Sequence, residues 1–124
     1  MKNIGFASAA LIAIVLASGT AGAADVKKGK KVFNKCKACH SLKSGKNKMG
    51  PSLFGVIGRK AASVPKFRYS KAMKKSDITW DEATLRLYLE NPKKFLKGTR
   101  MSFRGIKKQS QLDNLVAYLK EASK

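Results

Sequence analysis

Apolar positions Val26, Val32, Phe33 and Cys36 recur near helical spacing behind Asp25, a residue suited to capping, so the pattern predicts a first helix opening there. Gly29 falls inside it, where another element can approach closely. From Leu42 to Ser76 the chain is rich in Gly, Lys and Ser, is broken by Pro51 and Pro65, and holds neither a 3.6 nor a 2 residue period, which predicts loop. Thr79 with Glu82 three residues on predicts a capping box. The helix it opens carries Leu85, Tyr88 and Leu89 and stops at Asn91-Pro92. Pro92 suits the first position of a short helix through Lys97 that Gly98 ends, and a loop from Thr99 to Gln109 follows. The last helix is predicted from Ser110, with Asp113 as reciprocal cap, and puts Leu112, Leu115, Val116 and Leu119 on one face. That face needs a partner helix, and the N-terminal one is available. No internal repeat and no strand pattern is visible, so the expected fold class is all-α, three to five helices around a loop-rich centre.

A loop as long as 42–76 is unusual in a compact domain unless something other than backbone pairing organises it. A large flat cofactor would do so. The length argues the same way: about 100 residues behind an N-terminal segment make one small domain, which gains from a buried filler.

That N-terminal segment has Lys2, an apolar run from Ile4 to Ala17, and the small-residue pattern Ala21-Gly22-Ala23. Residues 1–23 are expected to be a cleaved signal peptide and 24–124 the mature domain, in the periplasm. The apolar run is shorter than the roughly 20 residues needed to span a bilayer, so the mature protein is not expected to be membrane-embedded. Charge narrows the partners. With 27 Lys plus Arg against 7 Asp plus Glu the chain carries +20, and the mature part, which loses only Lys2, carries +19. Such a field steers a protein toward acidic surfaces. Nucleic acid is set aside, because export removes the chain from it and the basic residues are spread instead of forming one reading helix.

The chemistry lies in Cys36-Lys37-Ala38-Cys39-His40, a C-x-x-C-H pattern that reads as a c-type haem attachment site. Two thiols three residues apart reach the two vinyl groups of one haem, and the next residue points its imidazole at the iron. A thioredoxin-like dithiol would need a βαβ context, and zinc would need more ligands than two Cys and one His. A structural disulfide across so short a loop constrains little chain and leaves His40 unexplained. Since His40 is the only histidine, a sixth iron ligand must be another residue type, and methionine is the obvious one. Met49 and Met73 lie in the polar loop, while Met101 follows a helix end and Gly98 and is better placed. The plainer role of any one methionine is core packing.

These residues resemble the class I cytochrome c family, close to mitochondrial cytochrome c and its bacterial relatives, over nearly all of the mature chain. Gly29 and Phe33 match its first helix, Cys36, Cys39 and His40 its haem motif, and Gly50-Pro51-Ser52-Leu53 the loop after it. The resemblance implies the cytochrome c fold around one covalent haem c, with His40 and Met101 as iron ligands and Pro51 buttressing His40. It also implies Arg59, Tyr69 and Trp80 near a haem propionate, and Tyr88 near the axial methionine. The implied function is a monomeric single-electron carrier and not an enzyme. It would shuttle between acidic redox proteins, such as a quinol-oxidising complex, a terminal oxidase or other periplasmic reductases, with Lys37, Lys48, Lys93, Lys94 and Lys97 around the haem edge. Peripheral contact with an anionic membrane is compatible with the charge. The alternative is a haem protein with an open iron site, acting on peroxide or binding a small gas. Two departures bear on the propionate region: Met73 stands where many relatives have asparagine, and Ala61-Ala62 replace the usual Thr-Gly pair. Arg100 stands where a lysine is common.

Overall fold

The computed structural model describes Ala10 and residues 23–124. The expected signal peptide thus lies outside the described residues, apart from Ala10 and Ala23. Among the described residues there are five helices and no strand: α1 Val26–Phe33, α2 Lys71–Lys75, α3 Glu82–Glu90, α4 Pro92–Phe95 and α5 Gln109–Ala122. None of these helices is long and apolar enough to cross a membrane.

α1 starts where the pattern places it. The Asp25 carboxylate accepts from Lys28 N at 3.1 Å, satisfying one of the helix's orphan donors. α1 packs on α5, its expected partner. Gly29 lies flush against α5, so a Cβ there would collide with the Asn114 carbonyl and sit 2.8 Å from Tyr118 Cβ. The Phe33 and Tyr118 rings meet at 5.3 Å, and Asn114 Oδ1 accepts from Asp25 N at 2.8 Å. α5 buries Leu112, Leu115, Val116 and Leu119, the face read from its period. Removing such a fully buried leucine costs about 2–5 kcal/mol, because the site only partly collapses.

Four boundaries differ from the sequence reading. α3 is capped by Asp81 with Thr84, not by Thr79 with Glu82: Thr84 N donates to Asp81 Oδ1 at 2.7 Å, and Asp81 N donates to Thr84 Oγ1 at 2.9 Å. Thr79 is engaged elsewhere, in an isolated antiparallel bridge with Lys60, which Trp80 N extends by donating to Arg59 O at 2.8 Å. α5 begins at Gln109 with no side-chain cap, and Asp113 pairs with Arg86 instead of turning back on Ser110. The stretch 42–76 is not all loop, since α2 forms inside it. The Ser70 hydroxyl accepts from Met73 N at 3.0 Å and starts that turn. α4 is shorter than expected, ending at Phe95, but Pro92 occupies its first turn.

The core forms two clusters. Phe33, Ile106, Leu112, Leu115 and Leu119 make one, with Cys36, Leu42 and Phe103 half-buried against it. Val56, Trp80, Leu85, Tyr88 and Val116 make the other, with Ile57, Leu96 and Met101 half-buried against it. Leu53 and Leu89 pack on both.

Candidate haem-binding site

Beyond α1 the backbone keeps turning: Cys36 N donates to Phe33 O at 2.8 Å and His40 N to Cys36 O at 2.9 Å. These turns hold both cysteines and the histidine in one compact arc. Cys36 and Cys39 are free thiols. Burial, and then the neighbouring Cys39, push the Cys36 thiol up to about 11. A dithiol catalyst needs a thiolate near neutral pH, so this environment argues against thioredoxin-like chemistry.

His40 Nδ1 lies 2.8 Å from the Pro51 carbonyl. That carbonyl can only accept, so Nδ1 carries the hydrogen and Nε2 keeps a free lone pair, the tautomer a metal requires. Burial lowers the His40 pKa most, and the charges of Arg59 and Lys48 lower it further, although the Pro51 carbonyl opposes them. Gly50 lies against the other side of the ring, where a Cβ would come within 2.7 Å of Nδ1. Gly50 N donates to Cys39 O at 2.7 Å, closing loop 41–50 onto the motif. The imidazole is therefore clamped in one orientation by backbone alone.

Of the three methionines weighed as sixth ligand, Met49 is 82% exposed, with its sulfur 3.8 Å from Cys39 Sγ. Met73 is on α2, not in loop, and packs with Ala61 on the Trp80 cluster. Met101 packs on that cluster too. Its backbone is held by a short relay: Tyr88 OH and Thr99 Oγ1 are 2.5 Å apart, and Met101 N donates to Thr99 Oγ1 at 3.3 Å. Since the Thr99 oxygen accepts from Met101 N, its own hydrogen is free to go to Tyr88. Burial raises the Tyr88 pKa, keeping the phenol neutral, while the bond to Thr99 pulls it down by less.

The remaining expected site residues fall into two groups. Trp80 and Tyr88 stack at 5.1 Å inside the second cluster, and Phe95 adds a ring 6.0 Å from Tyr88. Arg59 is half-buried and Tyr69 lies near it. Arg59 Nη1 donates to Ser52 O at 2.8 Å and Phe54 O at 2.9 Å, tying loop 52–54 down. Tyr69 OH accepts from Val64 N at 3.2 Å and packs edge-on against Phe67. Ala62, in place of the usual glycine, holds φ +59. The sequence reading had given no role to Thr99 or Gly50. The hydroxyl two residues before Met101 was the available signal for Thr99; for Gly50 only the fold reveals how little room the ring leaves.

The donor set fits one covalent haem. Two thiols sit beside an imidazole with Nε2 free, and no bulk at Gly50 intrudes on the ring. Cys36 packs half-buried against one apolar cluster and Met101 against the other, so a flat ring system bonded at the cysteines would find apolar side chains to pack on. Among the described residues no three His, Cys, Asp or Glu side chains gather as a metal cluster. The fold and site therefore define a c-type cytochrome.

Comparison with known proteins agrees. The family model for cytochrome c matches residues 26–123, so the chain belongs to the cytochrome c family. Cytochrome c-550 of Nitrobacter winogradskyi is 52% identical over 101 residues, 81% of this chain and 93% of that protein. Cytochrome c-554 of Methylosinus trichosporium is 43% identical over 124 residues, 98% of this chain and 94% of its own. Among solved structures, cytochrome cH from Methylobacterium extorquens superposes with a TM-score of 0.73 at 45% identity, covering 77% of this chain and 97% of that one. The chain is thus an electron carrier with one haem c attached through Cys36 and Cys39.

Proposed function

We propose that this cytochrome carries single electrons with His40 and Met101 as the two axial iron ligands, and that it turns over no substrate. The haem supplies the one-electron couple, and a thioether ligand raises its potential. The protein's part is to keep both ligands in place in both oxidation states. His40 is held by Pro51 O and flanked by Gly50, and the Met101 backbone by Thr99. The observation that carries the choice of Met101 is the Tyr88–Thr99 relay, which ties the loop bearing this methionine to a buried phenol of the core. With His40 and Met101 both bound, the iron would keep no position for peroxide or a gas. Pro51 acts on His40 through its carbonyl, and Trp80, Tyr88, Arg59 and Tyr69 make up the surrounding shell. The absorption band of methionine bound to ferric iron tests this: it disappears in Met101→Ala and persists in Met49→Ala and Met73→Ala. Its persistence in Met101→Ala refutes the assignment.

The working place is the periplasm, after cleavage near Ala24. In support, the match to the Methylosinus protein covers 98% of this chain and so extends into the N-terminal segment. The partners are acidic redox proteins, met by a monomer. Lys37, Lys48, Lys93, Lys94 and Lys97 are all exposed, and segments 26–76 and 91–112 contain no acidic residue. Such a surface speeds encounter more than it tightens binding. Reversing three of these lysines to glutamate is expected to slow reduction at low salt and to flatten its ionic-strength dependence. An unchanged rate at low salt overturns the steering.

A further inference from the structure

The Met101 loop joins α4 to α5, and its downstream half is tied to the last turn of α3. Ile106 N donates to Leu89 O at 2.8 Å, and Lys107 Nζ donates to Glu90 O at 2.8 Å. Gly105, at φ +106, lies so near the Glu90 carbonyl that a Cβ would collide with it. The ties continue sideways into α5. Gln109 Nε2 donates to Glu90 Oε1 at 3.2 Å, Arg86 Nη2 donates to Gln109 Oε1 at 2.6 Å, and Arg86 pairs with Asp113. Because α5 has no side-chain cap, these bonds across helices help set where it begins. Glu90 thus accepts through its carbonyl and its carboxylate at once, from the end of the loop and the start of α5.

We infer that Lys107 and Gln109, closing on Glu90, form a latch that positions the Met101 loop over the iron and controls how often the loop opens. This rests on the reading of Met101 as the sixth ligand. The loop has no helix or strand of its own, so few bonds decide its position. Lys107 and Gln109 are exposed, and their side chains bond to Glu90 and Arg86, so they act through the loop. Opening is an equilibrium, and a ligand that binds only the open form reports its population.

The test uses the ferric holoprotein with imidazole as the probe, which reaches the iron only when Met101 has left. Lys107→Met/Gln109→Ala is expected to bind imidazole about fivefold more tightly, the effect of losing two modest exposed hydrogen bonds. Lys120→Met, which breaks the 3.1 Å Lys120–Glu82 pair at the other end of α3, is the control and leaves imidazole affinity at the wild-type value. Met101→Ala marks the fully open limit. If Met101→Ala raises the affinity and the latch variant does not, the latch is wrong while the ligand reading stands. If Lys120→Met raises it as much as the latch variant, general loosening explains the effect and the latch is again overturned. If Met101→Ala itself changes neither imidazole affinity nor the ferric-methionine band, the ligand reading fails first.

Discussion

Gly29→Ala sets two effects of opposite sign against each other at the α1–α5 crossing. Alanine is the better helix former, and in an exposed helix the change would stabilise by about 1 kcal/mol. Here the new Cβ would overlap the Asn114 carbonyl and stand 2.6 Å from its carbon and 2.8 Å from Tyr118 Cβ. Asn114 O and C are backbone of α5 and cannot rotate away, so the helices must separate. Separation loosens Phe33 on Tyr118 and strains the bond from Asp25 N to Asn114 Oδ1. Overpacking of a tight contact costs typically 1–3 kcal/mol, and a backbone obstacle puts this one near the top, about 3. The steric term wins, leaving a net loss of about 2 kcal/mol. For a domain of this size that lowers Tm by about 8–16 °C. Thermal unfolding of the holoprotein followed by circular dichroism measures it, with Lys30→Ala, exposed on the same helix, as reference. A Tm for Gly29→Ala at or above that reference would mean that α1 and α5 do not meet at Gly29.

Three further outcomes are expected. Ala62 holds φ +59, a conformation costing an L-residue about 1–2 kcal/mol, while glycine in the unfolded chain gives back about 0.4–1. Ala62→Gly should therefore stabilise by about 0.5–1 kcal/mol, seen as a higher guanidinium midpoint, and a lower midpoint contradicts it. Tyr88→Phe removes the 2.5 Å bond to Thr99 and should cost about 1–2 kcal/mol while weakening the ferric-methionine band. An unaltered band would show that the relay does not hold Met101. The His40 pKa is lowered below its ordinary 6.5, so the unfolded chain takes up the proton first as pH falls. Stability is complete above pH 6.5 and declines below it, and ligation of the imidazole acts in the same direction. Denaturant midpoints at pH 7.5 and 5 check this, and equal values refute it.

Local chemistry was enough to read much of this protein. Asp25 caps α1 because its carboxylate reaches Lys28 N within the same turn, and the leucine period of α5 survives into the fold because one stripe must leave water. Cys36, Cys39 and His40 are close in sequence, so the haem motif needs no fold to be recognised. The tertiary structure decided what depends on competition between distant groups. Thr79 lost its capping role to Asp81 because it pairs with Lys60 in an extended bridge that Trp80 continues onto Arg59, and Asp113 was drawn away from Ser110 by Arg86. α2 is five residues long, too short to show a period, and exists because Ser70 caps it and Met73 finds the Trp80 cluster. The Tyr88–Thr99 contact and the closeness of Gly50 to His40 join residues about ten apart across a loop. A sequence states which groups are present at such a junction, but only the packed chain sets their distance.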